Sequence, residues 1–373
     1  MQVRLRRRTY KGCSGFNLSP EIGIMTDPSH EQSVLILYTG GTIGSVQTAQ
    51  GGLAPLDFSE IHRHVPELVQ EGLNIESISF DPPIDSSNMG PQHWARLAQM
   101  IKDRYDDFDG FVILHGTDTL AYTASALSFM LEGLHKPVVL TGSQLPIGLP
   151  RTDGRENLLA AVEIARAQRF EEPIVQEVAV YFGSSLYRGN RTHKASAESM
   201  QAIISPNLPA LAEAGVDIIY NESHMFRDPS TTLSIQAELE SRIAWVPIFP
   251  GQPIEVLQNI LAWGPLRGLV LSTYGSGNAP SNDKLKSVLS EANARGISMV
   301  NVSQCGHGAV HPERYATAHL LRDCGVIPGG DMTTEAALTK LMVCLHRTSD
   351  LTEIRQLMMS NLRGELTRFS SLT

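Results

Sequence analysis

From residue 34 onward, short apolar runs alternate with longer stretches in which apolar positions recur every three or four residues. The runs at 34–38, 75–80, 111–114, 138–140 and 178–182 have the length of strands buried within a sheet. Between them, 94–101, 119–134 and 157–168 carry helical periodicity. Strand and helix alternating in this way predict an α/β domain with a mainly parallel sheet and flanking helices. A second alternation follows, with strands at 243–249, 268–272 and 297–302. Its helix at 333–345 puts Leu338, Leu341, Met342 and Leu345 at i, i+3, i+4 and i+7, one apolar face for a sheet to cover.

The two patterns are separated by a polar stretch that includes Asn221-Glu222-Ser223-His224 and Asp228-Pro229-Ser230. The expected organisation is therefore a larger α/β domain over 33–205, a linker or irregular region over 206–242, and a smaller α/β domain over 243–373. Ahead of these, Arg4, Arg6, Arg7, Arg8 and Lys11 make a basic start with no apolar run behind it, unlike a secretory signal. Residues 1–32 are expected to be a disordered extension or the product of a misassigned start codon, with Met25 as the true first residue.

Composition narrows the function. With 42% hydrophobic and 18% charged residues over 373 positions, the chain has enough apolar side chains for two cores and is not a disordered protein. A net charge of −9 would repel phosphate backbones, which argues against nucleic-acid binding. No apolar run approaches the roughly 18 residues of a membrane span. Cys13, Cys305, Cys324 and Cys344 form no CxxC pair, a pattern that suits free thiols in a reducing cytoplasm. The 12 histidines include no HExxH, so no metal site is expected.

In open α/β sheets ligands bind beyond the carboxyl ends of the strands, which directs attention to four segments. The first, YTGGTIG at 38–44, is neither a P-loop nor a GxGxxG fingerprint. It reads as a plain tight turn, or as a hydroxyl nucleophile (Thr39 or Thr42) beside exposed backbone N–H donors. The second, HGTDT at 115–119, reads as a helix cap, or as a hydroxyl, Thr117, beside a carboxylate, Asp118, able to hold a substrate ammonium. The third, RGNRTHK at 188–194, ends in Lys194, a solvated lysine or a base acting next to a hydroxyl. The fourth, DSSNM at 85–89, offers Asp85, Ser86 and Ser87 as capping residues or as ligands.

Taken together, these segments resemble the bacterial-type L-asparaginases, specifically the cytoplasmic type I branch. The resemblance runs from about residue 34 to 366. It is carried in order by YTGGTIG, DSSNM, HGTDTLAYTASALSFML, LTGSQLPI, TDGREN at 152–157, RGNRTHK, and GVIPGGDMTTEAALTK at 325–340. It implies a larger N-terminal and a smaller C-terminal α/β domain. It also implies hydrolysis of L-asparagine to L-aspartate and ammonia through a threonine-linked acyl-enzyme, without metal or organic cofactor. By position, Thr42 is the implied nucleophile and Thr117, Asp118 and Lys194 complete the catalytic set. Asp85, Ser86 and Ser87 join Thr117 and Asp118 in binding substrate, with Asp118 and Ser87 on its α-amino and α-carboxylate groups. The family implies a cytoplasmic homodimer or homotetramer, with Asn278 in a segment that can reach a neighbour's site.

Two departures from the family stand out. The lid after TGGTIG, residues 45–55, lacks the tyrosine that many members use to orient the nucleophile. Some type I members also have an asparagine-sensing effector site containing an arginine; here Ser272 occupies that place, so an effector carboxylate would lose a bidentate partner. Cys305, in the same region, is then expected to be a buried thiol. A tRNA-dependent amidotransferase subunit of the same chemistry is disfavoured by the net charge, and a silent amino-acid sensor by the full set of reactive side chains.

Overall fold

The computed structural model describes residues 32–47, 53–55, 65–69, 73–230, 232–311 and 316–367, with side chains given throughout except at 46, 47, 53–55 and 316–318. The basic N-terminal extension, apart from Gln32, and the lid residues 48–52 lie outside the described residues.

The larger sheet has eight strands: β1 (Gln32–Tyr38), β2 (Leu73–Ser79), β3 (Gly110–Leu114), β4 (Val138–Thr141), β5 (Val178–Phe182), β6 (Ser185–Arg188), β7 (Ala212–Ala214) and β8 (Ile218–Tyr220). Their order is β8-β7-β6-β5-β4-β3-β1-β2. β1 to β5 are parallel, and β6, β7 and β8 extend the sheet antiparallel. Helices α1 (Pro91–Asp103), α2 (Leu120–Met130) and α3 (Gly154–Arg166) cover both faces. Along β1, Leu35 and Leu37 join the core that holds Leu97, Ile101 and Leu127, whereas Val34 and Ile36 join the core that holds Leu158 and Val162. Successive side chains thus enter different cores, which is why β1 reads as a continuous apolar run instead of an alternation.

The smaller sheet is fully parallel: β9 (Ile243–Pro247), β10 (Gly268–Thr273), β11 (Ser298–Ser303) and β12 (Ile327–Pro328), in that order. Helices α4 (Ile254–Ala262) and α5 (Asp283–Ala294), with the C-terminal part of α6 (Ala316–Asp323), cover one face. α7 (Thr334–Arg347) and α8 (Leu351–Met359) cover the other. α7 also packs on α2, joining the two domains.

Two expectations change. The stretch 206–242 is not simply a linker, because β7 and β8 lie within it and lengthen the first sheet by antiparallel pairing. The run at 75–80 is β2, at the end of the sheet's order beside β1, and its burial alternates over Leu73–Ser77, so one of its faces is open to solvent. The consequential feature is the place of β1. Consecutive strands β2 and β3 lie on opposite sides of it, which opens a topological crevice at the carboxyl ends of β1 and β3.

Candidate active site

Three backbone hydrogen bonds bring the loops after β1, β2 and β3 together. Thr39 N–H donates to Leu114 O (3.0 Å), Phe80 N–H to Tyr38 O (2.8 Å) and Ile84 N–H to Thr39 O (2.7 Å). The Thr119 hydroxyl adds a bond to Ser86 O at 2.6 Å. Gly41 makes the close approach possible: its φ is +89°, and a Cβ there would lie 2.5 Å from the Gly116 backbone. Thr42 then opens a single 3₁₀ turn, Thr42–Gly44.

Tyr38 braces that turn. Its hydroxyl donates to Gly44 O at 2.8 Å, and its ring lies so close that a Cβ on Gly44 would meet it at 2.2 Å. Burial pushes the Tyr38 phenol up to about 12, so it stays protonated and keeps donating at neutral pH.

Behind the third loop lies a buried relay. Trp94 Nε1–H donates to Thr123 Oγ1 (2.9 Å), Thr123 Oγ1 sits 2.8 Å from His115 Nε2, and His115 Nδ1 sits 2.7 Å from Gly116 O. A carbonyl can only accept, so Nδ1 carries the proton and Nε2 accepts from the Thr123 hydroxyl. Burial lowers the His115 pKa to about 4, against the opposing pull of the Gly116 carbonyl, so the ring is neutral. The Gly116 carbonyl is thereby turned toward His115, and across a trans peptide the Thr117 N–H points the opposite way.

Lys194 completes the cluster. Its Nζ donates to Thr117 Oγ1 at 3.0 Å and is ion-paired with Asp118 Oδ1. The resulting pocket, about 490 Å³, is lined among others by Thr42, Asp85, Ser86, Thr117, Asp118 and Lys194. Six of the seven residues to which the resemblance gives catalytic or substrate-binding roles therefore converge on one cleft. The seventh, Ser87, is exposed and lies outside the lining; its backbone N–H donates to Asp85 Oδ1 at 2.9 Å. That bond and one with the Ser87 hydroxyl hold the Asp85 carboxyl below its ordinary range. Asp85 thus caps the 3₁₀ turn Ser86–Asn88 while also facing the pocket. Thr117 and Asp118 are not helix caps, since the cap position of α2 is Thr119.

Sequence reasoning did not single out Tyr38, Gln144 or Ala197, all of which line the pocket. Tyr38 begins the YTGGTIG segment, but its inward aim depends on the β1 pleat. The expectation for Cys305 was wrong: it is exposed, in the loop after β11, with its N–H on Ser303 Oγ at 2.9 Å. Ser272 is the buried one, and its hydroxyl accepts from Trp245 Nε1–H at 2.7 Å. Cys324 and Cys344 are buried free thiols.

With this geometry in hand, comparison with known proteins places the chain. Residues 33–226 match the family model for the asparaginase N-terminal domain, and residues 242–358 match the glutaminase/asparaginase C-terminal domain. The chain is 45% identical to L-asparaginase 1 of Escherichia coli K12 over 346 residues, covering 90% of this chain and 98% of that one. The structure of the thermostable L-asparaginase from Thermococcus kodakarensis superposes with a TM-score of 0.83 at 36% identity, covering 91% of this chain and all of that one. L-asparaginase I from Vibrio cholerae gives 0.81 at 40% identity, with 90% and 99% covered. The chain belongs to the asparaginase family, and so to the amidohydrolases. Among the described residues, no helix is long and apolar enough to cross a membrane.

Proposed function

We propose that the protein hydrolyses the side-chain amide of L-asparagine to L-aspartate and ammonia, with Thr42 as the nucleophile. The observation that carries this reading is the convergence of Thr42 with the hydrogen-bonded Thr117–Lys194 pair in one pocket at the sheet's ligand edge. A threonine hydroxyl is a weak nucleophile at neutral pH and needs a route for its proton. Thr117 and Lys194 provide one. As Thr42 Oγ1 attacks the amide carbon, Thr117 Oγ1 takes its proton and passes its own hydroxyl proton to the departing nitrogen, which leaves as ammonia, while the Lys194 ammonium donates to Thr117 Oγ1 and offsets the negative charge that builds there. Water then attacks the Thr42 ester by the same path in reverse, releasing aspartate. The Thr117 N–H, set by the His115 relay, serves the developing oxyanion. Asp118 holds the substrate's α-ammonium, while Asp85, Ser86 and Ser87 bind the rest of its amino-acid head. No metal or organic cofactor enters this scheme. The working form is a cytoplasmic homodimer or homotetramer acting on a small-molecule substrate, without nucleic-acid or membrane partners.

Hydroxylamine tests the acyl-enzyme. Added to the reaction as a competing nucleophile, it should divert product into L-aspartic β-hydroxamate in proportion to its concentration. Aspartate alone, at every hydroxylamine concentration, would mean that water attacks the amide directly. A pocket fitted to one side-chain length misplaces the scissile carbon of a homologue by one methylene, so L-glutamine should turn over far more slowly. Comparable rates on the two amides would contradict that fit.

A further inference from the structure

The chain from Arg188 to Lys194 is gripped by the second domain nearly side chain by side chain. Arg188 Nη1 donates to Gly364 O (3.0 Å), Asn190 Nδ2 to Arg363 O (2.9 Å) and Arg191 Nη1 to Glu365 O (2.8 Å), and Arg191 is paired with Asp331 at 3.0 Å. The gripping segment is itself fixed. The Glu365 carboxylate accepts from the N–H groups of Leu362 (3.0 Å) and Arg363 (2.6 Å) and is paired with Lys340 of α7 at 2.5 Å, neither side chain having any solvent exposure.

The last anchor before Lys194 is His193. Its Nδ1 lies 2.8 Å from Oε1 of Glu335, in the first turn of α7. Glu335 is buried, and its other oxygen has no hydrogen-bond partner among the described residues. His193 and Lys194 form a two-residue strand paired with Ile203–Ile204, and successive strand side chains project to opposite faces. Holding the imidazole on Glu335 therefore fixes the rotation of the strand, and with it the direction in which Lys194 leaves toward Thr117 and Asp118. Among the described residues, none that lines the pocket comes from the second domain.

We infer that Glu335 is a positioning residue: acting through His193, it aims Lys194 at the Thr117–Asp118 pair, so that the second domain sets the proton-transfer geometry without entering the pocket. The inference rests on the role given to Lys194 under the proposed function, and one set of variants separates the two. Glu335→Ala, Glu335→Gln and His193→Ala are compared alone, and Glu335→Ala and His193→Ala also in a Lys194→Met background, by steady-state ammonia release.

Glu335→Ala and His193→Ala should each lower kcat about ten-fold with KM changed less than about three-fold, because the defect lies in proton transfer and not in binding. Glu335→Gln, which keeps an acceptor for His193, should stay within about two-fold of the parent kcat. In the Lys194→Met background the Ala substitutions should change the residual rate by less than about two-fold, since their effect runs through the missing amine. If Glu335→Ala does not fold, the half-exposed His193→Ala carries the test alone. A kcat within two-fold of the parent for His193→Ala, or a loss undiminished in the Lys194→Met background, would overturn the positioning role alone, provided Lys194→Met itself is impaired. Full turnover by Lys194→Met would overturn the role of Lys194 and this inference with it.

Discussion

Replacing Thr123 by valine is the sharpest test of the relay that underlies the HGTD loop. Valine keeps the volume and removes one oxygen, and that oxygen serves two buried partners at once: Trp94 Nε1 at 2.9 Å and His115 Nε2 at 2.8 Å. Trp94 and His115 are 6% and 0% exposed, so water cannot replace the lost bonds. Each orphaned group costs about 1–3 kcal/mol, giving a loss of about 2–6 kcal/mol for Thr123→Val. Thr123→Ser keeps the hydroxyl and removes one methyl group, a loss of about 1 kcal/mol. Urea unfolding read by tryptophan fluorescence compares the two variants. A freed His115 ring also releases the Gly116 carbonyl, so kcat should fall in Thr123→Val and hold in Thr123→Ser. Equal stability of the two variants, or a Thr123→Val loss below about 1 kcal/mol, would refute the relay as drawn.

Three further outcomes follow from the same structure. His115 titrates near 6.5 when unfolded and near 4 when folded, so between those values the unfolded chain binds the extra proton; stability should fall by up to about 3 kcal/mol as pH drops from 6.5 to 4, and a His115→Gln variant should lose that part of the slope. Gly44→Ala drives a Cβ to 2.2 Å from the buried Tyr38 ring, which should cost about 1–3 kcal/mol in urea unfolding and displace the Thr42 turn, cutting ammonia release at least ten-fold. Lys340→Met strands Glu365 without its counter-charge in a fully buried site and should cost about 3–5 kcal/mol by urea unfolding, with Glu365→Gln on top of it recovering part of the loss.

The buried parallel strands were legible because residues such as Val34, Leu35, Ile36 and Leu37 are apolar on both faces, a pattern that few other environments require. β7 and β8 were missed because Ala-Glu-Ala and Ile-Ile-Tyr are too short to show a period and sit among polar residues. Of the site, Thr42, Asp85, Ser86, Thr117, Asp118 and Lys194 could be picked out because each lies in a segment placed at, or carried to, the carboxyl edge of the large sheet. The supports were hidden. Trp94, Thr123 and His115 belong to α1, α2 and the loop after β3, and nothing in their spacing shows that they share one hydrogen-bonded line. Glu335 stands 142 positions from His193, so only the tertiary fold brings them together. Cys305 was misjudged because a thiol's exposure depends on which way a loop leaves its strand, not on the residue type.

The nucleophile proposed for this asparagine amidohydrolase is Thr42. Ammonia release from L-asparagine by the parent chain and by Thr42→Ala, with both shown to be folded by circular dichroism, tests it most directly. The parent should turn over and Thr42→Ala should lose at least about 10³-fold in kcat, the effect expected when a covalent route is removed. A folded Thr42→Ala variant that retains turnover, or a folded parent with none, would contradict it.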